Sequence, residues 1–549
     1  MRVVLAQCNP LVGDVAGNLA RIAALLDEAR RRHAPRLVVF PEMVLSGYPP
    51  EDLLFHSGFR QEIERALDAL PDLARGLALV VGHPGYDGGV VRNAASVFDD
   101  GRLVLRAFKQ RLPNYGVFDE KRYFSPGEGV GLIAVDGLAC AVTICEDVWD
   151  GGPWRQARRA GARVVLNLSA SPYALGKTEE RRRLFAGHAR ATGLPLLYTN
   201  LVGGQDELVF DGTSFALDGE GRTVARARSF AEDLLAVDLV EGPEGVVPAG
   251  AVAAEVGDEE AVYEAIVLAV RDYVAKNAFP GALVGLSGGV DSALTLALAV
   301  DALGAGRVRA VMMPSRFTSP LSFEVARAEA RALGVDYEEL AIEPVLEALL
   351  TVLGARLEEG VWDAAAQNLQ ARARGVLLMA LSNRSGRLLL TTGNKSEMAV
   401  GYATLYGDMA GGFAPLRDVT KTWVYRLARH RNARPGGAVI PDAVLTRPPT
   451  AELAPGQLDA DTLPPYPVLD AILEAFIEDD RTVAEIVALG YDEATVRRVV
   501  RLVATNEYKR RQAPPGVRVS RRAFGRERRY PITSGYGRGG GGSDPPPTA

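Results

Sequence analysis

The stretch ALVGLSGGVDSALTLALAVDAL, residues 282–303, reads as a strand, a glycine turn and a helix in immediate succession. Two adjacent glycines in the turn let a ligand approach the main chain, and the N–H groups at the helix start favour an anion such as phosphate. This is not a Walker A loop, because no Lys-Ser/Thr follows a GxxxxG pattern. Two glycines alone would make only a tight βα turn, but six specified positions, Ser287 to Ser292, between strand and helix point to a ligand. VRAVMMP (308–314), a helix over 322–333, YEELAI and LLLTTGN (388–394) continue the alternation. The expectation for this half is a doubly wound α/β domain with a parallel sheet.

Upstream, VVLAQ (3–7), LVVFPE (37–42), LALVVGH (77–83), AVTIC (141–145), VVLNLS (164–169) and LPLLYTN (194–200) read as strands. NLARIAALLDEARRR (18–32) has the apolar spacing of an amphipathic helix. Weak two-residue alternation predicts strands buried on both faces of a layered αβ domain. Between 241 and 257, EGPEGVVPAGAVAAEVG loses periodicity. The chain therefore divides into a domain over 1–245, a linker over 246–257, a second domain over 258–532 and a disordered Gly/Pro tail over 533–549.

Of 549 residues, 48% are hydrophobic and 24% charged, and 62 basic against 68 acidic residues leave −6. No overall positive field exists to draw nucleic acid or an acidic membrane, so neither is expected as a partner. Cys8, Cys140 and Cys145 cannot build a disulfide framework or a CxxC metal site, which predicts a reducing, cytoplasmic compartment. The five histidines are scattered, against zinc chemistry. No apolar run approaches the ~18 residues of a membrane span.

The hexapeptide Ser287-Gly288-Gly289-Val290-Asp291-Ser292 resembles the SGGxDS signature of the N-type ATP pyrophosphatases. That resemblance implies adenylation of a carboxylate or carbonyl oxygen by ATP, then displacement of AMP by a nitrogen or sulfur nucleophile. Mg²⁺ would offset the triphosphate charge through hard oxygen ligands. Asp291 is one metal candidate, and Glu397 of Thr391-Thr392-Gly393-Asn394-Lys395-Ser396-Glu397, just beyond a strand end, is the other.

In the first half, Glu42 in VVFPEMVLSGYPPEDLL, Lys109 in RAFKQRLPNYGVFDEKRYF and Cys145 before Glu146-Asp147-Val148-Trp149 are chemically active types beside apolar runs. Singly, each reads as a solvated strand end or an inert core thiol, as Cys8 and Cys140 do. Jointly they resemble the Glu-Lys-Cys arrangement of the nitrilase family, with its αββα sandwich. The resemblance implies that Cys145 attacks an amide carbon, Lys109 offsets the oxyanion and Glu42 moves protons. It also assigns Tyr115, Ser171 and Lys177 to the amide substrate, glutamine.

Such an amidase joined to an SGGxDS domain (Rossmann-like, adenine nucleotide α-hydrolase-like) resembles the glutamine-dependent NAD⁺ synthetases. The match includes NLQARAR (368–374), the TGNKSE segment, LYGDMAGGFAPLRDVTK (405–421), PPTAELAPGQLDADTLPPY (448–466) and NEYKRRQAPPGVRVSRRAFGRERRYPI. It implies that ammonia from glutamine passes through a channel to deamido-NAD⁺ adenylated by ATP, the co-substrate. Gly285, Leu286, Ser287, Gly288, Gly289, Val290, Asp291, Ser292 and Thr392 would contact ATP. Asn368, Glu397 and Lys509, and more weakly Asp408 and Lys421, would contact deamido-NAD⁺. The family also implies a homo-oligomer, a dimer or an octamer.

Between Lys509 and Arg529, nine basic residues stand against the single acid Glu527. A nucleic-acid patch with Phe524 and Tyr530 stacking, or a solvated or intersubunit surface, would fit. The preferred expectation is that part closes over dinucleotide phosphates and the rest pairs with acids of another subunit. Two rival functions stand beside the main one: an amidotransferase of the same class with another acceptor, and an ammonia-fed ligase whose first domain is a catalytically dead scaffold.

Overall fold

The computed structural model describes residues 1–242, 245–357 and 361–536. It divides into two compact units, Met1–Gly257 and Asp258–Ala549. The first unit holds two large sheets. One has seven strands in the order Gly245–Gly250, Asp233–Gly242, Arg2–Gln7, Leu37–Val39, Ala78–Asp87, Val90–Asp99 and Arg102–Phe108. The other has six, Thr223–Arg226, Phe215–Leu217, Leu196–Asn200, Val164–Ser169, Leu138–Ile144 and Gly131–Val135.

Strand alternation sorts their apolar residues into three cores. Val4, Ala6, Val38, Leu79 and Val81 pack with Ile22 and Leu26 of helix Val15–His33 and Ile63 and Leu70 of helix Ser57–Leu73. Val3, Leu5, Val39 and Val80 instead meet Cys140, Val142, Ile144 and Leu166 from the second sheet. Ala141, Val165, Leu196 and Tyr198 cover the other side, against Trp154 of Gly151–Arg159 and Phe185 of Lys177–Thr192. Helix, sheet, sheet, helix is thus the layer order, and it explains why the alternation is weak: both faces of each sheet are buried.

The segment expected as a linker over 246–257 is a strand in its first part. Gly245–Gly250 pairs antiparallel with Asp233–Gly242 at the sheet edge, with Val246 and Pro248 buried. Proline is tolerated there because an edge strand leaves one row of N–H groups unused. Of the expected tail, 537–549 lies outside the described residues.

The second unit has a four-stranded parallel sheet in the order Asp336–Glu339, Val308–Met312, Ala282–Gly285, Leu388–Leu390. The chain order of these strands is 3-2-1-4, so the direction of winding reverses between Ala282–Gly285 and Leu388–Leu390. Ligands bind outside the carboxyl ends of strands at such a switch point. Leu283, Val311 and Leu389 pack under Leu377, Leu378 and Leu381 of helix Ala364–Ser385. The helices after 466 build a separate core around Leu469, Ile472, Ile486 and Val499.

Candidate active sites

In the first unit, three strand ends deliver one buried cluster. Glu42 follows Leu37–Val39, and Gly82 lies beneath it: a Cβ there would stand 2.5 Å from the Pro41 carbonyl oxygen. Lys109 follows Arg102–Phe108, and its Nζ donates to Glu42 Oε1 and to Glu120 Oε1, each at 2.8 Å. Glu42 also accepts from Asn93 Nδ2 at 2.6 Å and from the Ala170 N–H at 2.7 Å. Glu120 accepts from the Tyr48 hydroxyl at 2.9 Å. Lys109 and Glu42 are wholly buried, so the expectation of solvated ends, if each stood alone, does not apply.

Cys145 begins a 3₁₀ turn directly after Leu138–Ile144, with φ of 43°. A non-glycine residue in that region is strained, and it persists because Asp147 clamps the turn. Asp147 Oδ2 accepts from the Ile144 N–H at 3.0 Å, and Oδ1 from the N–H groups of Gln110 and Arg111, both at 2.9 Å. One carboxylate thereby joins the cysteine turn to the lysine loop. Burial and the Glu42 charge push the Cys145 thiol well above its usual range, while Lys109 opposes them. Burial also works against the charge on Lys109, but the Glu120 and Glu42 carboxylates prevail and hold it firmly protonated. Burial raises Glu120 to about 7 against the pull of Lys109. Cys8 and Cys140 are core residues, with Cys140 pushed up to about 12 by burial.

The three residues expected at the amide substrate surround this cluster differently. The Tyr115 hydroxyl donates to Glu146 Oε1 at 2.8 Å. Lys177 Nζ lies 4.0 Å from the centre of the Trp149 ring and 3.1 Å from Glu180 Oε2. Ser171 is buried beside Ala170, its N–H donating to Asn200 Oδ1 at 2.9 Å. Glu146, Glu120, Asn93 and Asp147 escape sequence reasoning. The one signal was the position of Glu146 and Asp147 immediately after the cysteine.

In the second unit the glycine loop borders a cleft of about 280 Å³ at the switch point. Gly285 to Ser287, Gly289 to Ser292, Thr392, Glu397, Asp408 and Lys421 all line it. Gly288 turns away: at φ +82°, a Cβ there would lie 2.7 Å from the Ser322 carbonyl oxygen. Its carbonyl accepts from Arg447 Nη2 at 2.6 Å. Ser292 Oγ folds the loop on itself by accepting from the Ser287 N–H at 3.2 Å and donating to the Gly289 carbonyl at 2.9 Å.

Asp291 and Glu397, the two metal candidates, converge on Lys421. Its Nζ lies 2.5 Å from Asp291 Oδ2 and 3.0 Å from Glu397 Oε1. Asn394 braces both: its Nδ2 donates to Asp291 Oδ1 at 2.8 Å, and its Oδ1 accepts from the Glu397 N–H at 3.0 Å. Burial raises Glu397 to about 7, with Lys421 pulling down and Asp291 pushing up. Among the described residues no group of three or more His, Cys, Asp or Glu side chains could hold a metal. Two carboxylates suffice for Mg²⁺, however, which commonly takes one or two with phosphates and water completing its shell.

Asn368, Asp408 and Lys509 gather on the 401–408 loop. Thr404 Oγ1 donates to Asn368 Oδ1 at 2.6 Å, the Thr404 N–H to Asp408 Oδ1 at 2.7 Å, and Lys509 Nζ to the carbonyls of Gly401 and Ala403, both at 3.0 Å. Only Asp408 of these three lines the main cleft. Arg374 and Arg447, which sequence reasoning did not single out, line it as well.

The basic stretch over 509–529 departs from expectation. Arg510, Arg511 and Arg528 pair with Glu507, Arg518 with Glu527, Arg521 with Asp479 and Arg522 with Asp480. These acids belong to the same unit, so pairing to another subunit is not required to balance the charge.

A buried cysteine, lysine and glutamate on an αββα sandwich in one unit, and an SGG loop at a Rossmann-type switch point in the other, define a carbon–nitrogen hydrolase joined to an ATP-using synthase. Residues 2–242 match the carbon-nitrogen hydrolase family and 262–513 the NAD synthase family. The chain is 49% identical over 541 residues to the glutamine-dependent NAD(+) synthetase of Xanthomonas campestris pv. campestris, covering 98% of each. It is 45% identical to that of Acinetobacter baylyi, covering 97% of this chain and 98% of the relative. The solved glutamine-dependent NAD⁺ synthetase of Acinetobacter baumannii, in complex with adenosine diphosphate, matches with a TM-score of 0.79 and 42% identity over 97% of this chain and 98% of that one. The chain belongs to the glutamine-dependent NAD(+) synthetase family.

Proposed function

We propose that the chain forms NAD⁺ from deamido-NAD⁺, using ATP and nitrogen taken from glutamine. The observation that carries this reading is the coexistence, in one chain, of the Lys109–Glu42–Glu120 cluster beside Cys145 and the glycine-loop cleft at the switch point.

In the first unit Glu42 accepts the thiol proton as Cys145 attacks the side-chain amide of glutamine. The Lys109 ammonium offsets the developing oxyanion, and Glu42 returns the proton to the departing ammonia, then activates water against the thioester. Glu146 and Lys177, of opposite charge, suit the α-ammonium and α-carboxylate of the substrate, with Tyr115 fixing Glu146. Glu120 keeps Lys109 charged and aimed.

In the second unit the N–H groups of Val290 to Ser292, at the start of helix Val290–Leu303, hold the triphosphate beside the glycine loop, and Thr392 lies at the neighbouring strand end. Asp291 and Glu397 are hard oxygen donors side by side in the cleft, and they would hold Mg²⁺. When bound, the ion neutralises phosphate charge and makes pyrophosphate a better leaving group. Asn368, Asp408 and Lys509 recognise deamido-NAD⁺ through the 401–408 loop. Ammonia displaces AMP from the nicotinate adenylate. Passage of ammonia sheltered from water is part of the proposal, since ammonia free in neutral water is mostly protonated and no longer nucleophilic.

The retained cluster in the first unit speaks against a dead scaffold. A cytoplasmic location is proposed on the three unpaired cysteines. A homodimer or octamer is proposed as well; the cross-strand neighbours Val240 and Val247 are 60% and 52% exposed, apolar surface of the kind an interface covers. Product analysis tests the main reading: with glutamine, ATP, Mg²⁺ and deamido-NAD⁺ the protein is expected to release NAD⁺, AMP and pyrophosphate in equal amounts, with at least as much glutamate. ADP and phosphate in place of AMP and pyrophosphate would reject the adenylate route. Glutamate without NAD⁺ would reject the acceptor and favour the rival amidotransferase.

A further inference from the structure

Asp291 sits in the first turn of helix Val290–Leu303 and Glu397 in the first turn of helix Lys395–Val400, so both carboxylates are fixed by secondary structure. The main chain of Lys421 is fixed too. Its N–H donates to Ser396 Oγ at 2.9 Å, and the next N–H, of Thr422, donates to Asp470 Oδ2 at 2.8 Å. What the main chain does not fix is the four-carbon lysine side chain, buried but built on rotatable bonds. Its ammonium now bridges the two acids, with the Tyr466 ring 5.2 Å away.

Two carboxylates held this close repel each other unless a cation lies between them. The Lys421 ammonium, in contact with both, supplies that cation. A divalent ion drawn to the same two oxygens would meet the ammonium within a few ångströms, where like charges repel strongly in a site shielded from water. The carboxylate pair therefore cannot serve both cations at once. A triphosphate on the adjacent glycine loop would give the displaced ammonium a new anionic partner.

We infer that Lys421 is a place-holding cation: it bridges the two metal-binding carboxylates and yields them when a metal–nucleotide arrives. Metal and nucleotide consequently enter together, and the free protein binds the metal weakly. This inference rests on the reading that Asp291 and Glu397 hold the divalent ion.

Mn²⁺ binding, followed by electron paramagnetic resonance without nucleotide, tests it on the full chain. Lys421→Met is expected to bind Mn²⁺ about tenfold or more tightly than the unaltered protein. The gain is expected to vanish in the double variant Lys421→Met, Glu397→Gln. An unchanged or weaker Mn²⁺ affinity in Lys421→Met, with Mn²⁺ and α,β-methylene ATP still binding in a Glu397-dependent way, would overturn the inference alone. Binding of that complex unaffected by Glu397→Gln would remove the metal-site reading and the inference with it. A second measurement needs no variant: reductive methylation of Lys421, read by mass spectrometry, is expected to rise when saturating Mn²⁺ displaces the side chain. No change in labelling would count against displacement.

Discussion

Lys109 in the first unit and Lys421 in the second each lie between two carboxylates, yet their surroundings differ. Glu42 and Lys109 are fully buried; Asn93 and Tyr48 donate to the same Oε1 atoms of Glu42 and Glu120 that Lys109 contacts, and the Ala170 N–H takes Glu42 Oε2. Asp291 and Glu397 have side chains 16% and 17% exposed, facing a cleft. In the proposed function the first arrangement keeps its charges in one geometry for a neutral amide. The second is proposed to accept a polyanion and a metal, and there its internal pairing would be exchanged for pairing to a ligand.

The largest effect is expected from Lys109→Met. It leaves two buried carboxylates without their cation and removes the proposed partner of the oxyanion, so glutamine-driven NAD⁺ formation should fall by about 10³-fold or more. The ammonium-driven reaction should survive, which also reports that the second unit is folded. Loss of both would mean that the two sites are not separable.

Gly288→Ala reverses the pattern. The new Cβ would collide with the Ser322 carbonyl in a left-handed conformation, shifting the phosphate loop. NAD⁺ formation should drop by about 10²-fold with either nitrogen source, since a misplacement of about 1 Å costs this much. Glutamine hydrolysis measured without ATP should be unchanged; a parallel fall would contradict independent construction of the sites.

Glu120→Gln keeps the shape of the cluster but removes one of the two charges around Lys109. Glutamine hydrolysis should slow by about tenfold, the low end of the 10–100-fold typical when a residue that orients a reacting group is lost. The acid limb of its pH profile should also move, because the group raised to about 7 is gone. A slower rate with an unmoved profile would reduce Glu120 to a packing role.

The smallest effect concerns a buried carboxyl with no lysine at all. Glu329, in helix Pro320–Leu333, has neither oxygen hydrogen-bonded among the described residues, and burial raises it to about 8. The native state thus holds this proton more tightly than the unfolded chain, whose glutamates titrate near 4.3. Stability is fully present below the unfolded value and declines as pH rises towards about 8. Glu329→Gln should therefore raise the melting temperature at pH 8 by about 5 °C and leave it nearly unchanged at pH 4. Equal shifts at both pH values would show a packing effect instead of a titration.

Much of the fold and of the sites was legible because it is encoded locally. The strand, SGG turn and helix at 282–303 state their own geometry, and Cys145, Glu42 and Lys109 each follow an apolar run that ends as a strand. What was not legible depends on which segments the fold brings together. Glu120 and Asn93 matter only because the sandwich brings them to Lys109 and Glu42. The Val246 and Pro248 face of the edge strand was hidden by glycines and a proline that suggested a linker. The basic run over 509–529 looked unbalanced because Asp479, Asp480 and Glu507 lie outside it. The Lys421 bridge depends on three separate segments, so no local pattern announces it.

One chain is proposed to hold two separable sites linked by ammonia. Cys145→Ala, compared with the unaltered protein under ATP, Mg²⁺ and deamido-NAD⁺, tests it most directly. The variant is predicted to form no NAD⁺ from glutamine while keeping most of the rate with ammonium; equal loss with both nitrogen sources would contradict the account.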